Sequence, residues 1–171
     1  GIGALILTLR FLPEVGFGKA LWWGVFHSVS AFCNAGFDVF GCITPGASLM
    51  EFKSDPVVLL TLGSLVVTGT LGFLVWQEIW EIRNFRKFSV YTGLVLITTG
   101  MLLAAGWVLI CLLEWNNPAT LGTMGVGGKL LAGLFQSITL RTAGFAAIDQ
   151  AMLTDGCKAV SMVLMLIGGS S

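Results

Sequence analysis

Residues 57–77, VVLLTLGSLVVTGTLGFLVWQ, run for 21 positions without a charged side chain, and residues 88–113, FSVYTGLVLITTGMLLAAGWVLICLL, run for 26. No other feature constrains the fold as strongly. A helix needs about 20 apolar residues to cross the hydrocarbon core of a bilayer, and a longer run crosses at a tilt. A soluble fold would have to clothe such segments in polar surface, and this chain lacks it. Only 11% of its 171 residues are charged, against roughly 25% in soluble domains. Mean hydropathy is +0.90. In lipid a helix satisfies its own backbone hydrogen bonds. The expected class is therefore an all-α integral membrane protein, multi-pass in the lipid bilayer.

Between the two runs lies EIWEIRNFRK, with Arg83, Arg86 and Lys87 as the densest basic cluster. The positive-inside rule puts this turn in the cytoplasm, and Trp76, Trp80 and Tyr91 flank it where an aromatic belt would sit. Small residues recur at helical spacing in both runs: Ser64, Thr68 and Gly72 in the first, Gly93 and Gly100 in the second. Such stripes let helix backbones approach, and generic packing accounts for them. Nine basic and nine acidic residues leave no net charge and no basic run, so no nucleic-acid partner is expected. Cys33, Cys42, Cys111 and Cys157 have no metal-ligand spacing and read as free thiols or small packing residues. The opening GIGALILTLRF lacks the basic region of a signal peptide and reads as the end of a helix.

Two further apolar stretches, residues 20–33 and 130–140, are too short to span. Runs of this length are candidates for re-entrant segments. Each leads into glycine and polar residues, and irregular backbone at membrane depth is tolerated only inside protein or beside a wet cavity. The chain thus reads as span–pore helix–span, twice over, with re-entrant loops. Residues 1–79 hold one unit with a truncated first span, and residues 80–171 hold the next. With the connecting turn in the cytoplasm, both short helices enter from outside.

The short helices carry the same phrase. FHSVSAFCNAGF (26–37) and FQSITLRTAGF (135–145) both end in Ala-Gly-Phe, and upstream Phe-His-Ser-Val-Ser echoes Phe-Gln-Ser-Ile-Thr with one residue of slip. A repeated unit of this kind is used several times around an axis. Its chemistry suits a cation path. A ring of backbone carbonyls replaces part of an ion's hydration shell without burying a charged side chain. Glycine lets the chain turn those carbonyls inward, because positive φ carries no Cβ penalty there, and the C-terminal end of each short helix presents its negative dipole end. The candidate ion-binding residues are Asn34, Ala35, Gly36 and Phe37 with Thr142, Ala143, Gly144 and Phe145. Read blandly, the phrases are two tight turns after buried helices.

On these residues the sequence resembles the Trk/Ktr/HKT superfamily of potassium transporters, in particular the bacterial Ktr-type membrane subunit. SVSAFCNAGF resembles that family's second filter segment and RTAGF its third. The closing MLIGGSS resembles the start of the glycine-rich intramembrane loop that gates the pore, which makes Gly168, Gly169, Ser170 and Ser171 the candidate gate. The resemblance implies potassium uptake across the cytoplasmic membrane, with no tightly bound cofactor and potassium as the transported ion. It also implies a homodimer controlled by a ring of cytosolic nucleotide-binding subunits. The family has four such repeats, so this stretch holds parts of the second and third. Cys33 departs from the family pattern, where a polar residue is expected. Asp38, directly after the first phrase, is either a cation-concentrating carboxylate or a solvated loop residue. A sodium-preferring or mixed transporter of the same architecture, and a non-conducting membrane scaffold, are the competing readings. Glycine at both visible filter positions leans toward potassium.

No enzyme is expected. His27 and Ser28 are neighbours, with Asp38 ten residues on, but adjacent helical residues diverge by about 100° and do not face each other. His27 is expected to bond behind its helix. Arg141, at membrane depth, needs a partner, and Asp149 or Asp38 is expected to provide it. Lys129 and Lys158 are expected to snorkel to the interface.

Overall fold

A computed structural model describes residues 1–39, 49, 52, 55–82 and 88–168. Seven α-helices carry these residues: α1 (Ile2–Val15), α2 (Phe17–Phe32), α3 (Pro56–Thr70), α4 (Gly72–Ile82), α5 (Val90–Glu114), α6 (Val126–Thr142) and α7 (Asp155–Ile167). The 3-10 turn Gln150–Met152 precedes α7, and no strand occurs among the described residues. The all-helical expectation holds. The basic cluster at Arg83, Arg86 and Lys87 lies outside the described residues, as do Cys42 and the gate residues Gly169, Ser170 and Ser171.

Local chemistry sets the helix starts. Asp55 accepts from the Val57 and Val58 amides at 3.0 and 3.3 Å, with Pro56 at the first helical position of α3. Ser89 caps α5 and Thr154 caps α7, each hydroxyl accepting from the amide three residues on. The Glu78 carboxylate of α4 adds bonds from the Ser89 amide, the Ser89 hydroxyl and the Thr92 hydroxyl, which joins α4 to the start of α5.

The uncharged run at 88–113 becomes α5, a helix of 25 residues that is long and apolar enough to cross a membrane. The run at 57–77 does not form one straight span. It breaks between α3 and α4 with a bend of 92°. Gly72 stands at the break with φ 77, a conformation that ends the α3 ladder. The carbonyl of Thr68, near the break, accepts from the Trp76 indole of α4 at 2.8 Å. The stripe through Gly72 is therefore a breakpoint rather than a continuous packing face. In α5, Gly93 and Gly100 meet nothing within 4 Å, whereas Gly106 and Gly133 receive Ser137 and Cys111 where α5 and α6 touch.

Packing sorts the helices into two trios. In the first, α1, α2 and α3 touch pairwise; in the second, α5, α6 and α7 do the same, and α3 packs on α6 across the join. The larger core holds Leu7, Phe11, Trp23, Leu59, Leu62, Val66, Phe135 and Phe145. Phe11 meets Trp23 edge-on with ring centres 6.0 Å apart. The second core joins Ile110, Leu121, Leu140, Leu153 and Leu164. The short helices prove slightly longer than their apolar stretches, with α2 at 16 residues and α6 at 17. At about 1.5 Å per residue both still fall short of a full crossing.

Candidate functional site

Both repeated phrases lie where a short helix ends, and both turn through positive φ. Gly36 has φ 71 and Gly144 has φ 77. The first phrase closes α2 with a paired motif: the Ala35 amide reaches the Ser30 carbonyl at 2.9 Å and the Asn34 amide reaches Ala31 at 3.2 Å. Asn34 supplies the left-handed residue of that motif, with φ 53. In the second phrase the Ala143 and Gly144 amides both reach the Thr139 carbonyl, at 3.0 and 3.2 Å. The two helix ends thus close differently. The longer phrase ends its helix with a left-handed Asn34 and then turns at its glycine as the shorter one does.

Beyond the glycine the phrases converge. The Ser30 hydroxyl donates to the Phe37 carbonyl at 2.7 Å, and the Thr139 hydroxyl donates to the Phe145 carbonyl at 2.9 Å. Ser30 and Thr139 are the aligned hydroxyl residues of the two phrases. Each hydroxyl pins its own loop to the last turns of its own helix. Ser30→Ala and Thr139→Val are each expected to weaken the loop by about 1 kcal/mol, the scale of one hydrogen bond. Melting of the purified full-length protein checks this, and the buried Thr139 bond should cost more than the part-buried Ser30 bond.

The two loops touch each other. A Cβ placed on Gly36 would overlap the carbonyl oxygen of Ala143. Asn34 and Thr142, which align in sequence, sit side by side, with the Thr142 hydroxyl 3.3 Å from the Asn34 side-chain oxygen. Thr70, the last residue of α3, lies 3.3 Å from that same oxygen and 3.2 Å from the Thr142 hydroxyl. The aromatic ends of the phrases differ in surroundings. Phe145 is fully buried in the core that contains Phe11 and Leu59, while Phe37 is 70% exposed.

His27 is fully buried, with Nδ1 2.7 Å from the Trp23 carbonyl and Nε2 accepting from the Val39 amide at 3.4 Å. One ring nitrogen donates and the other accepts, so His27 ties α2 to the segment that follows the first phrase. Asp38 follows the first phrase and is half-buried. The expected Arg141 ion pair is not formed. Among the described residues Arg141 has no ionic partner, and its Nε is buried without a hydrogen bond. The Asp149 carboxylate instead accepts from the Ala151 amide and caps the 3-10 turn. Arg141 lines a small cavity with Thr70, Thr99 and Leu103. Gln136, the counterpart of His27, is also fully buried, and neither amide atom has a partner among the described residues.

Lys129 donates to the Trp115 carbonyl at 2.7 Å and lies 5.0 Å from the centre of that ring, so the ammonium is held by a neighbour at the segment end. Lys158 lies 3.9 Å from Asp155. Cys33 is exposed, Cys111 and Cys157 are buried, and all three are free. Gly168, the described member of the candidate gate, ends α7 with φ 63, and its amide reaches the Leu164 carbonyl at 3.0 Å. Sequence reasoning missed the roles of Ser30, Thr139 and Thr70. For the first two the signal was present, in the echo of hydroxyl residues between the phrases.

Residues 2–171 match the family described as TrkH, cation transport protein. Among curated proteins, the chain is 42% identical to the "Ktr system potassium uptake protein B" of Vibrio alginolyticus, with 99% of this chain and 37% of that protein covered. It is 39% identical to the protein of the same description from Bacillus subtilis, with the same coverage. The "Potassium/sodium uptake protein NtpJ" of Enterococcus hirae is 35% identical over 99% of this chain and 36% of its own length. The chain therefore spans a little over a third of the curated relatives it matches. A family match over nearly every residue decides its place. The chain belongs to the TrkH family of cation transport proteins, a family of transporters and not of enzymes.

Proposed function

We propose that the full-length protein takes up potassium across the cytoplasmic membrane through a channel-like pore. In this reading Asn34–Phe37 and Thr142–Phe145 supply backbone carbonyls to one selectivity filter. The observation that carries it is the backbone contact between Gly36 and Ala143, which brings two phrases a hundred residues apart to one point. Carbonyls from several such loops, closed by segments outside this chain, replace the ion's water. The first trio, within residues 1–79, and the second, within 80–171, act as successive units around the pore. Gly168 begins the gate, which continues through Gly169, Ser170 and Ser171. A second copy of the protein and a ring of cytosolic nucleotide-binding subunits complete the assembly, by resemblance to Ktr-type systems. Relatives described as potassium uptake proteins support the choice of ion.

A mixed potassium and sodium transporter is the second reading, favoured by the description of the Enterococcus relative. Rubidium uptake with sodium competition separates the two. The full-length protein is expressed in cells lacking their own potassium uptake, beside a Gly144→Ser variant of matched membrane abundance. Preference for rubidium that falls in the variant supports the filter. Uptake without ion preference supports the mixed transporter. Absent uptake at normal abundance supports a non-conducting scaffold and overturns the proposal.

A further inference from the structure

We propose that Thr70 is a positioning residue for ion selectivity, with its side chain tying Asn34 and Thr142 together and so fixing the spacing of two filter segments. The inference rests on the filter reading above. Thr70 touches no ion; it acts through the two loops.

Three observations carry it. The first is the cluster itself. The Thr70 hydroxyl, the Thr142 hydroxyl and the Asn34 side-chain oxygen stand 3.2–3.3 Å from one another, and Thr70 is 4% exposed. Each hydroxyl carries one proton, and the Val66 carbonyl, 2.8 Å from the Thr70 hydroxyl, takes that of Thr70. With the Asn34 amide turned so that its NH2 group faces the hydroxyls, it donates to both, and the three groups are joined while Thr70 keeps its bond to Val66. The second is the neighbouring residue. A Cβ on Gly69 would overlap the Phe32 carbonyl oxygen, so the end of α3 lies directly against the end of α2. The third is the helix break. The bend of 92° follows directly after Thr70, so α3 stops at the filter instead of running past it.

The cluster is not itself an ion site. Its oxygens sit at hydrogen-bonding distance, and the adjoining cavity, lined by Thr70, Thr99, Arg141 and Thr142, holds only ≈ 10 Å³. That is about the least that one water needs. Its effect is mechanical. Discrimination between cations depends on how firmly the coordinating carbonyls are held and how they are spaced. A tie between aligned residues of two neighbouring filter segments sets that spacing from behind.

The test compares Thr70→Val, which keeps the shape and loses the hydroxyl, with Thr70→Ser, which keeps the hydroxyl. Both are made in the full-length protein and read by rubidium uptake under sodium competition, normalised to membrane abundance. Thr70→Val is expected to lose roughly fivefold or more of the ion preference, the scale of one hydrogen bond. Thr70→Ser is expected to keep most of it. An unchanged preference in Thr70→Val overturns the inference, as does an equal loss in both variants, which would trace the effect to packing at the site rather than to the hydroxyl. Should Thr70→Val fail to reach the membrane, Thr70→Ala removes the hydroxyl without adding bulk and is read the same way, with unchanged preference again overturning the role. A wild-type protein without ion preference overturns the filter reading, and the role of Thr70 with it; a selective wild type beside an equally selective Thr70→Val overturns the role of Thr70 alone.

Discussion

Replacing Gly36 by alanine in the full-length protein is expected to abolish selective rubidium uptake and to lower the melting temperature, while Gly144→Ala assembles and transports with altered preference. The two glycines look equivalent in sequence and are not equivalent in space. Both have φ in the left-handed region, where a Cβ costs about 1–2 kcal/mol. At Gly144 that strain is the whole cost, because nothing lies within 4 Å of the added carbon. At Gly36 the added carbon meets the Ala143 carbonyl oxygen, part of the backbone of the opposing loop. A backbone neighbour cannot rotate away as a side chain can. Relief requires the loops to separate, which also breaks the contact between Asn34 and Thr142. Overpacking of this kind adds about 1–3 kcal/mol. Uptake and detergent melting of both variants check the ordering. Equal behaviour of Gly36→Ala and Gly144→Ala would show that the loops do not meet in the whole protein.

That asymmetry marks how far the sequence could be read. The uncharged run at 88–113 was sufficient to place α5 within about two residues, because length and apolarity alone decide a span. The echo between residues 26–37 and 135–145 located both loops, and glycine at the turn foretold the positive φ at Gly36 and Gly144. The break at Gly72 was not legible. In the run TGTLGF a glycine four residues after Thr68 reads as helix packing, and only the approach of α3 to Phe32 and the turn of Trp76 back to Thr68 show a bend there. Thr70 was hidden for a similar reason. A threonine within an apolar span commonly bonds the carbonyl four residues back, as Thr70 does with Val66. Its contacts with Asn34 and Thr142 lie 36 and 72 residues away, and no local pattern encodes them. Arg141 shows the opposite error. The need for a partner was legible, but its identity is a matter of tertiary geometry, and Asp149 is engaged with its own turn.

Glu114 shows what the edge of a span can conceal. The residue ends α5, where an acid faces the negative end of the helix dipole, an unfavourable position in isolation. It is nonetheless fully buried. Four donors compensate: Thr154 through its amide at 2.8 Å and its hydroxyl at 2.7 Å, Asn117 through its NH2 at 2.7 Å, and Thr120 through its hydroxyl at 2.6 Å. Thr154 caps α7, so one carboxylate binds the end of α5, the following turn and the positive end of α7 together. Glu114→Leu leaves the Thr154 amide and the buried Thr120 hydroxyl without this acceptor, at about 1–3 kcal/mol for a fully buried donor and less for a part-buried one, while the Asn117 NH2 group keeps the Met152 carbonyl. A melting temperature well below wild type is expected, with cleavage by added protease at residues 115–125. Glu114→Gln should fall between the two, since its one oxygen serves Thr154 while its NH2 group opposes that of Asn117. Neither variant touches the Gly36 and Ala143 contact, so the protein that does reach the membrane should keep its ion preference. Loss of preference with normal melting would place Glu114 in the ion path and undo this account, whereas loss of stability with normal preference would separate the anchor of α7 from the filter.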